Sequence, residues 1–139
     1  MRYTARDSVR FETTASLRRC AGGGARGFVL EGELRGNGVL VWLRGGDSLP
    51  RGRYPVLARG DTLTPRGAVV AVRFMTGDLA HGVVLDSGLV TVTVSGGRRV
   101  SAAVGGAGVE TTAARRVGVE AEFVKTAPAA DDARCDVLP

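Results

Sequence analysis

Apolar and polar residues alternate along most of this chain, in short runs broken by glycine. In DSGLVTVTVSGGRRVSAAVGG (86–106), Val90, Val92 and Val94 alternate with Thr91, Thr93 and Ser95. Gly96-Gly97 then interrupts, two arginines follow, and the alternation resumes. A period of two marks a strand with one face buried. The stretch therefore predicts a hairpin at an edge or wall of a β-domain, turning at Gly96-Gly97.

The same reading predicts strands in SVRFETTASL (8–17), GFVLEGELRG (27–36), NGVLVWLRG (37–45) and the short YPVLA (54–58). AVVAVRFM (68–75) is nearly continuous apolar, as in a strand buried on both faces. AHGVVLDSG (80–88), LVTVTVS (89–95), RRVSAAVG (98–105) and VGVEAEFVKT (117–126) follow. Gly36, Asn37 and Gly38 fit a tight turn between the second and third of these runs. VETTAARRV (109–117) carries no apolar stripe and reads as a loop or one short turn. TAPAADDARC (126–135) reads as a single helical turn opening at Pro128. About eight or nine strands at spacings of about 8–12 residues predict an all-β fold, an antiparallel sandwich or a partly closed barrel. Phe11, Trp42, Phe74 and Phe123 fall in the strand patterns as core, and Trp42 and Phe123 are expected to be buried.

The length of 139 residues suits one domain spanning 1–139. The 21 glycines follow no three-residue period, which excludes collagen and leaves turns and bulges as their role. The net charge is +5, nearly all of it from arginine, with Lys125 the single lysine. That balance permits attraction to nucleic acid or an anionic surface.

Cys20 and Cys135 stand near the two ends of the chain. The placement suits a disulfide staple in an oxidising compartment, the alternative being two buried thiols in the cytosol. Neither has a CxxC or CxxH neighbour, so no zinc site is expected. No run of 18 apolar residues spans a membrane. MRYTARDSVRF lacks the apolar segment of a signal peptide. The expectation is an exported domain whose leader has been removed, or a cytoplasmic one if Met1 is native.

LPRGRYPV (49–56), DSGLVTVTV (86–94), RRVSAAV (98–104) and VGVEAEFV (117–124), with Cys135 behind them, resemble small exported bacterial β-domains, many of them lipoproteins. Those sequences read roughly PxGxYPV, SGxVTVT, VSGxFxAxL, VxGxF and a late cysteine. The resemblance covers about the C-terminal two thirds. It implies export and a disulfide, and no catalytic residues.

The remaining chemistry is sparse. GGGARG (22–27) formally fits GxGxxG, but a β-type run follows it where a dinucleotide site needs a helix. His81 is the only histidine, with Asp78 and Asp86 nearby, and reads as a solvated residue at a loop edge. If 80–86 is a strand, His81 and Asp86 point to opposite faces. No GxSxG elbow is present. Asp131, Asp132 and Asp136 lack calcium-loop spacing. Glu31 with Glu33, and Glu120 with Glu122, have the solvent-facing pattern of an amphipathic sheet. A pocket bringing them together would suggest a glycosidase.

Arginines cluster at Arg18-Arg19, Arg51 with Arg53, Arg98-Arg99 and Arg115-Arg116. If Arg51, Arg53, Arg98, Arg99, Arg115 and Arg116 met at one end, they would form an anion-binding rim. The expected function is that of a non-enzymatic exported structural or binding module, without cofactor or metal. The alternatives are anion or nucleic-acid binding through these arginines, a calycin-like barrel holding a small apolar ligand, and homo-oligomer assembly through edge strands. The lipocalin-type Gly-x-Trp is missing, since Trp42 follows Leu40-Val41.

Overall fold

Alternating sequences leave one apolar face per strand, and such a face is stable only against another. The computed structural model describes residues 13–21, 27–45, 51–58, 60–61, 63–111 and 114–135. Eight strands form: β1 (Ala15–Arg19), β2 (Phe28–Leu34), β3 (Asn37–Arg44), β4 (Gly52–Pro55), β5 (Gly67–Thr76), β6 (Leu79–Ser95), β7 (Arg99–Glu110) and β8 (Arg116–Thr126). All pair antiparallel in one sheet that curls into a half-barrel, the all-β antiparallel class that the patterning predicts.

The path round the sheet is β1-β2-β3-β5-β6-β7-β8. Seven antiparallel staves leave the first and last pointing the same way. The seam is accordingly parallel. Residues 128–133 continue past β8 beside β1, where Ala129 N–H donates to Leu17 O (2.8 Å), Ala133 N–H to Arg19 O (2.9 Å) and Ala21 N–H to Ala133 O (2.8 Å). This segment therefore runs alongside β1, bending at Ala130 and Asp131, where the sequence suggests a helical turn. Its hydrogen bonds go to the neighbouring strand, and Cys20 and Cys135 are joined just beyond, at a Cα–Cα separation of 5.4 Å.

β4 lies off this path. β5 and β6 pair from Ala71–Thr76 and then diverge, and β4 occupies the gap. It pairs with Leu89–Val92 of β6, while Leu57 N–H donates to Ala68 O at the start of β5. The divergence is built into β6, where the register shifts between Leu85 and Ser87. Gly88 (φ 134°) follows, and a Cβ there would stand 2.2 Å from Gly105 O. The sequence reads DSG as a break between two strands. The structure makes it a bulge, so the two predicted runs join in one 17-residue strand.

Along the inward face, Leu30, Val41, Val70, Leu85, Val90, Val117 and Phe123 are buried and pack in a single cluster. The first half of β5 is buried on both faces, as its apolar run predicts, but its second half alternates and exposes Arg73. The β2–β3 turn falls on Arg35-Gly36 (φ 51° and 86°), one position earlier than predicted, because both residues take the left-handed conformation of a type I′ turn. Gly96–Arg98 makes the β6–β7 turn as expected. Residues 8–12 of the predicted first strand, with Phe11, lie outside the described residues.

Trp42 departs from its expected burial. It points away from the inner cluster, in register with Val29 and Val69, and is half-buried. Its cover is Arg44, whose guanidinium lies 4.7 Å from the indole centroid and donates to Asp61 O (2.8 Å) and Thr64 O (3.0 Å). The β4–β5 connection is thus held over the outer face of β3.

Candidate functional site

Two features at opposite ends of the sheet carry chemistry. The first is a polar cluster beside the β5–β6 hairpin. β6 continues its inward alternation from Leu85 and Val83 to His81, and β7 continues from Gly108 to Glu110, which pairs with Val83. These two side chains meet: His81 Nδ1 faces Glu110 Oε1. Their side chains are 11% and 0% exposed. On its other side His81 Nε2 lies 2.6 Å from Thr76 Oγ1, and the imidazole stacks on Phe74 with centroids 4.7 Å apart. Both ring nitrogens of His81 are thus engaged, Nδ1 by the carboxylate and Nε2 by the threonine hydroxyl. Arg115 closes the cluster, its Nη2 3.4 Å from Glu110 Oε2. A buried carboxylate needs such partners, because an isolated one is costly to desolvate.

The expectation of a solvated His81 at a loop edge is therefore corrected. The β5–β6 turn at Gly77-Asp78 comes before His81, which leaves the ring inside the sheet's concave face, where Glu110 and Phe74 shield it. Asp86 is exposed on the outside, as the opposite-face argument anticipates. It accepts from Arg116 Nη1 (3.2 Å) and Nη2 (3.0 Å). These hydrogen bonds hold the Asp86 carboxyl below the ordinary carboxylate value and push the Arg116 guanidinium up. Sequence reading missed Glu110, although it lies in phase with the inward Val100, Ala102 and Val104.

The second feature is basic. The six predicted arginines do not form one rim. Arg98 precedes β7 and Arg99 opens it, where Ser95 pairs with Arg99, and Arg115 and Arg116 flank its far end, where Val109 pairs with Arg116. A 12-residue strand separates them, roughly 40 Å. Arg115 and Arg116 are both committed to carboxylates. Arg53 stands exposed on β4, opposite Thr91. Arg51 immediately precedes β4, whose first residue Gly52 pairs with Val92 in the half of β6 that leads to the Arg98-Arg99 turn.

Around that turn other cations gather. Arg99 Nη1 donates to Lys125 O (3.2 Å). Arg98 and Arg19 line one small pocket with Leu17, Phe28, Pro128 and Asp132. Arg66 Nη2 donates to Arg51 O (3.1 Å). The disulfide lies at this same end, past β1.

The four glutamates do not share a pocket. Glu31 and Glu33 border a shallow outer groove over β2, β3 and β5, while Glu120 and Glu122 border another over β6, β7 and β8. All four are exposed. Asp131 pairs with Arg18 (3.1 Å). Among the described residues no group of three or more histidine, cysteine, aspartate or glutamate side chains is placed to hold a metal ion. No helix among them is long and apolar enough to cross a membrane. Asp136 and residues 22–26 of GGGARG lie outside the described residues. No family model, curated protein or solved structure matches the chain.

Proposed function

We propose that this chain is an exported, disulfide-closed β-domain that works as a structural or binding module and not as an enzyme. The observation that carries the reading is the Cys20–Cys135 bridge, which ties the strand opening the sheet to the segment closing it. Such bridges persist in oxidising compartments. The resemblance to exported bacterial β-domains supports the same destination. The inward positions are occupied by apolar side chains packed on one another, which favours recognition at the outer surface over an internal apolar ligand. The test is a panel of ester, peptide and glycoside substrates run beside binding assays on envelope polymers. Saturable binding without turnover is expected. Turnover abolished by H81Q would sink the reading.

One observation favours a second reading. Thr76 Oγ1, His81 and Glu110 form a hydroxyl–imidazole–carboxylate chain, the order used to activate a nucleophile in acyl transfer. A fluorophosphonate probe separates the two. Labelling of Thr76 that depends on His81 would establish an activated hydroxyl, and an unlabelled chain would leave the cluster as a buried structural network.

A further inference from the structure

The basic groups at the disulfide end differ from those at the other end in what they touch. Arg115 and Arg116 are neutralised by Glu110 and Asp86. Arg19, Arg98, Arg99 and Lys125 form no ion pair among the described residues, and neither do Arg51 and Arg66. Several are nevertheless held in place. Arg19 lies over the Phe28 ring at 5.6 Å and Arg66 over Tyr54 at 4.1 Å, while Arg99 is tied to the Lys125 carbonyl. Aromatic faces and carbonyls order a guanidinium without cancelling its charge. Arg19, Arg66 and Arg99 are thus partly preorganised without losing their charge.

Backbone conformation adds a second observation. Arg98 (φ 60°) and Lys125 (φ 46°) both occupy the left-handed region, which disfavours any residue with a Cβ. Glycine would fit each position at lower cost, and Arg98 directly follows two glycines. Arg35 and Ala114 share this conformation, which persists where the surrounding structure fixes it.

From this geometry we infer that the disulfide end binds an acidic polysaccharide through its carboxylates, an inference that rests on the reading of the domain as a binding module. The cations lie on an arc from Arg66 and Arg51 by β4, past the Arg98-Arg99 turn and Lys125, to Arg19 on β1. Crossing that many strands covers roughly 20–25 Å at about 4.8 Å each. A small anion engages one or two of these groups, whereas an extended polymer engages the whole arc. The planar guanidinium matches a carboxylate in a two-pronged hydrogen bond. The pocket between Arg19 and Arg98, walled by Leu17, Phe28 and Pro128, gives one such group an apolar surround.

Other polyanions fit less well. Single-stranded nucleic acid binding draws on exposed aromatic platforms. Phe28 and Tyr54, the rings of this arc, are 4% and 3% exposed. Docking to a bilayer gains from an apolar wedge beside the charges. Val124 is the large apolar side chain exposed next to Lys125, and it is small for that role.

The experiment measures binding of the full chain to polygalacturonate, with neutral dextran, a 20-base-pair duplex DNA and phosphatidylglycerol vesicles as further arms. Saturable binding to polygalacturonate that weakens with added salt is expected, with none to dextran. R98Q/R99Q, changed in an exposed turn, should weaken it at least about tenfold, the size expected for losing charge-assisted contacts. R35Q, in the hairpin at the opposite end, should leave it unchanged. No binding, an equal loss in R35Q, or tighter binding to DNA or vesicles overturns the inference. The module reading survives those results and fails separately, if the polymer is cleaved.

Discussion

His81 and Glu110 stand 29 residues apart in the chain and share one hydrogen bond inside the concave face of the sheet. Glu110 is fully buried, so its charge depends on His81 and on Arg115 across from it. The two ends of the Glu110–Arg115 pair are unequal, since Arg115 is 34% exposed and can reach water. Arg115→Met leaves a buried carboxylate short of its cation and should cost about 3–5 kcal/mol. Glu110→Gln removes the charge itself and should cost less, about 1–3 kcal/mol. Urea denaturation of both variants checks the order. A larger loss for Glu110→Gln would mean that Arg115 does not neutralise this carboxylate.

The disulfide closes a loop spanning 115 residues. In the chain-entropy model a loop of that order is worth about 4.7 kcal/mol. Replacing both cysteines by alanine should lower the unfolding free energy by about 4–5 kcal/mol. Unreduced, unfolded protein should show essentially no reactive thiol. Two titratable thiols in oxidatively purified material would contradict the bridge.

Arg44 covers Trp42 and hydrogen-bonds the β4–β5 connection, so one substitution should disturb both. Arg44→Gln should raise acrylamide quenching of the single tryptophan and red-shift its emission. The stability loss should be about 1–2 kcal/mol, from two hydrogen bonds and a cation–π contact. Unchanged quenching would show that Trp42 is shielded by something else.

Acid should weaken the fold through two aspartates, Asp61 and Asp86. Asp61 is held below its ordinary value of 3.8 by hydrogen bonds from the Thr64 side chain and the Thr64 and Leu63 amides. Asp86 is held below 3.8 by Arg116. A carboxyl depressed in the folded state stabilises it above the unfolded value and loses that contribution as pH falls through the folded one. Stability should therefore hold from neutral pH to about pH 5 and decline below about pH 4. A D61N/D86N variant should show a shallower decline than wild type in denaturation midpoints at pH 7 and pH 3. Equal slopes would assign acid sensitivity to other groups.

Much of the sheet was legible because its strands alternate cleanly. The runs at 27–36, 37–45 and 117–126 each gave one strand within a residue or two of its bounds. What escaped depends on partners distant in sequence. Asp86-Ser87-Gly88 has turn composition, and only β4 filling the gap beside it reveals a bulge. Ala127–Ala133 has no alternation, and its course beside the sheet is set by the carbonyls of β1. The His81–Glu110 contact had a weak signal, since each residue falls in phase with inward valines or leucines. Glu110 falls in VETTAARRV, which carries no apolar stripe and reads as a loop, so its phase with the inward residues of β7 shows clearly only in the register. The arginine doublets were visible as loop and strand-end residues, but which end each occupied required the register.

The parallel seam also sets an order of events in time. The segment that completes it, 128–133, is made after every other stave, and it pairs with β1, which is made first. A growing chain can therefore assemble hairpins in succession, yet it cannot close the β1 seam until residues 128–133 have emerged. Cys135 emerges later still, so the covalent clasp can only seal a sheet whose closing hydrogen bonds are already within reach. The topology keeps the sheet open along β1 until residues 128–133 are made and come alongside it.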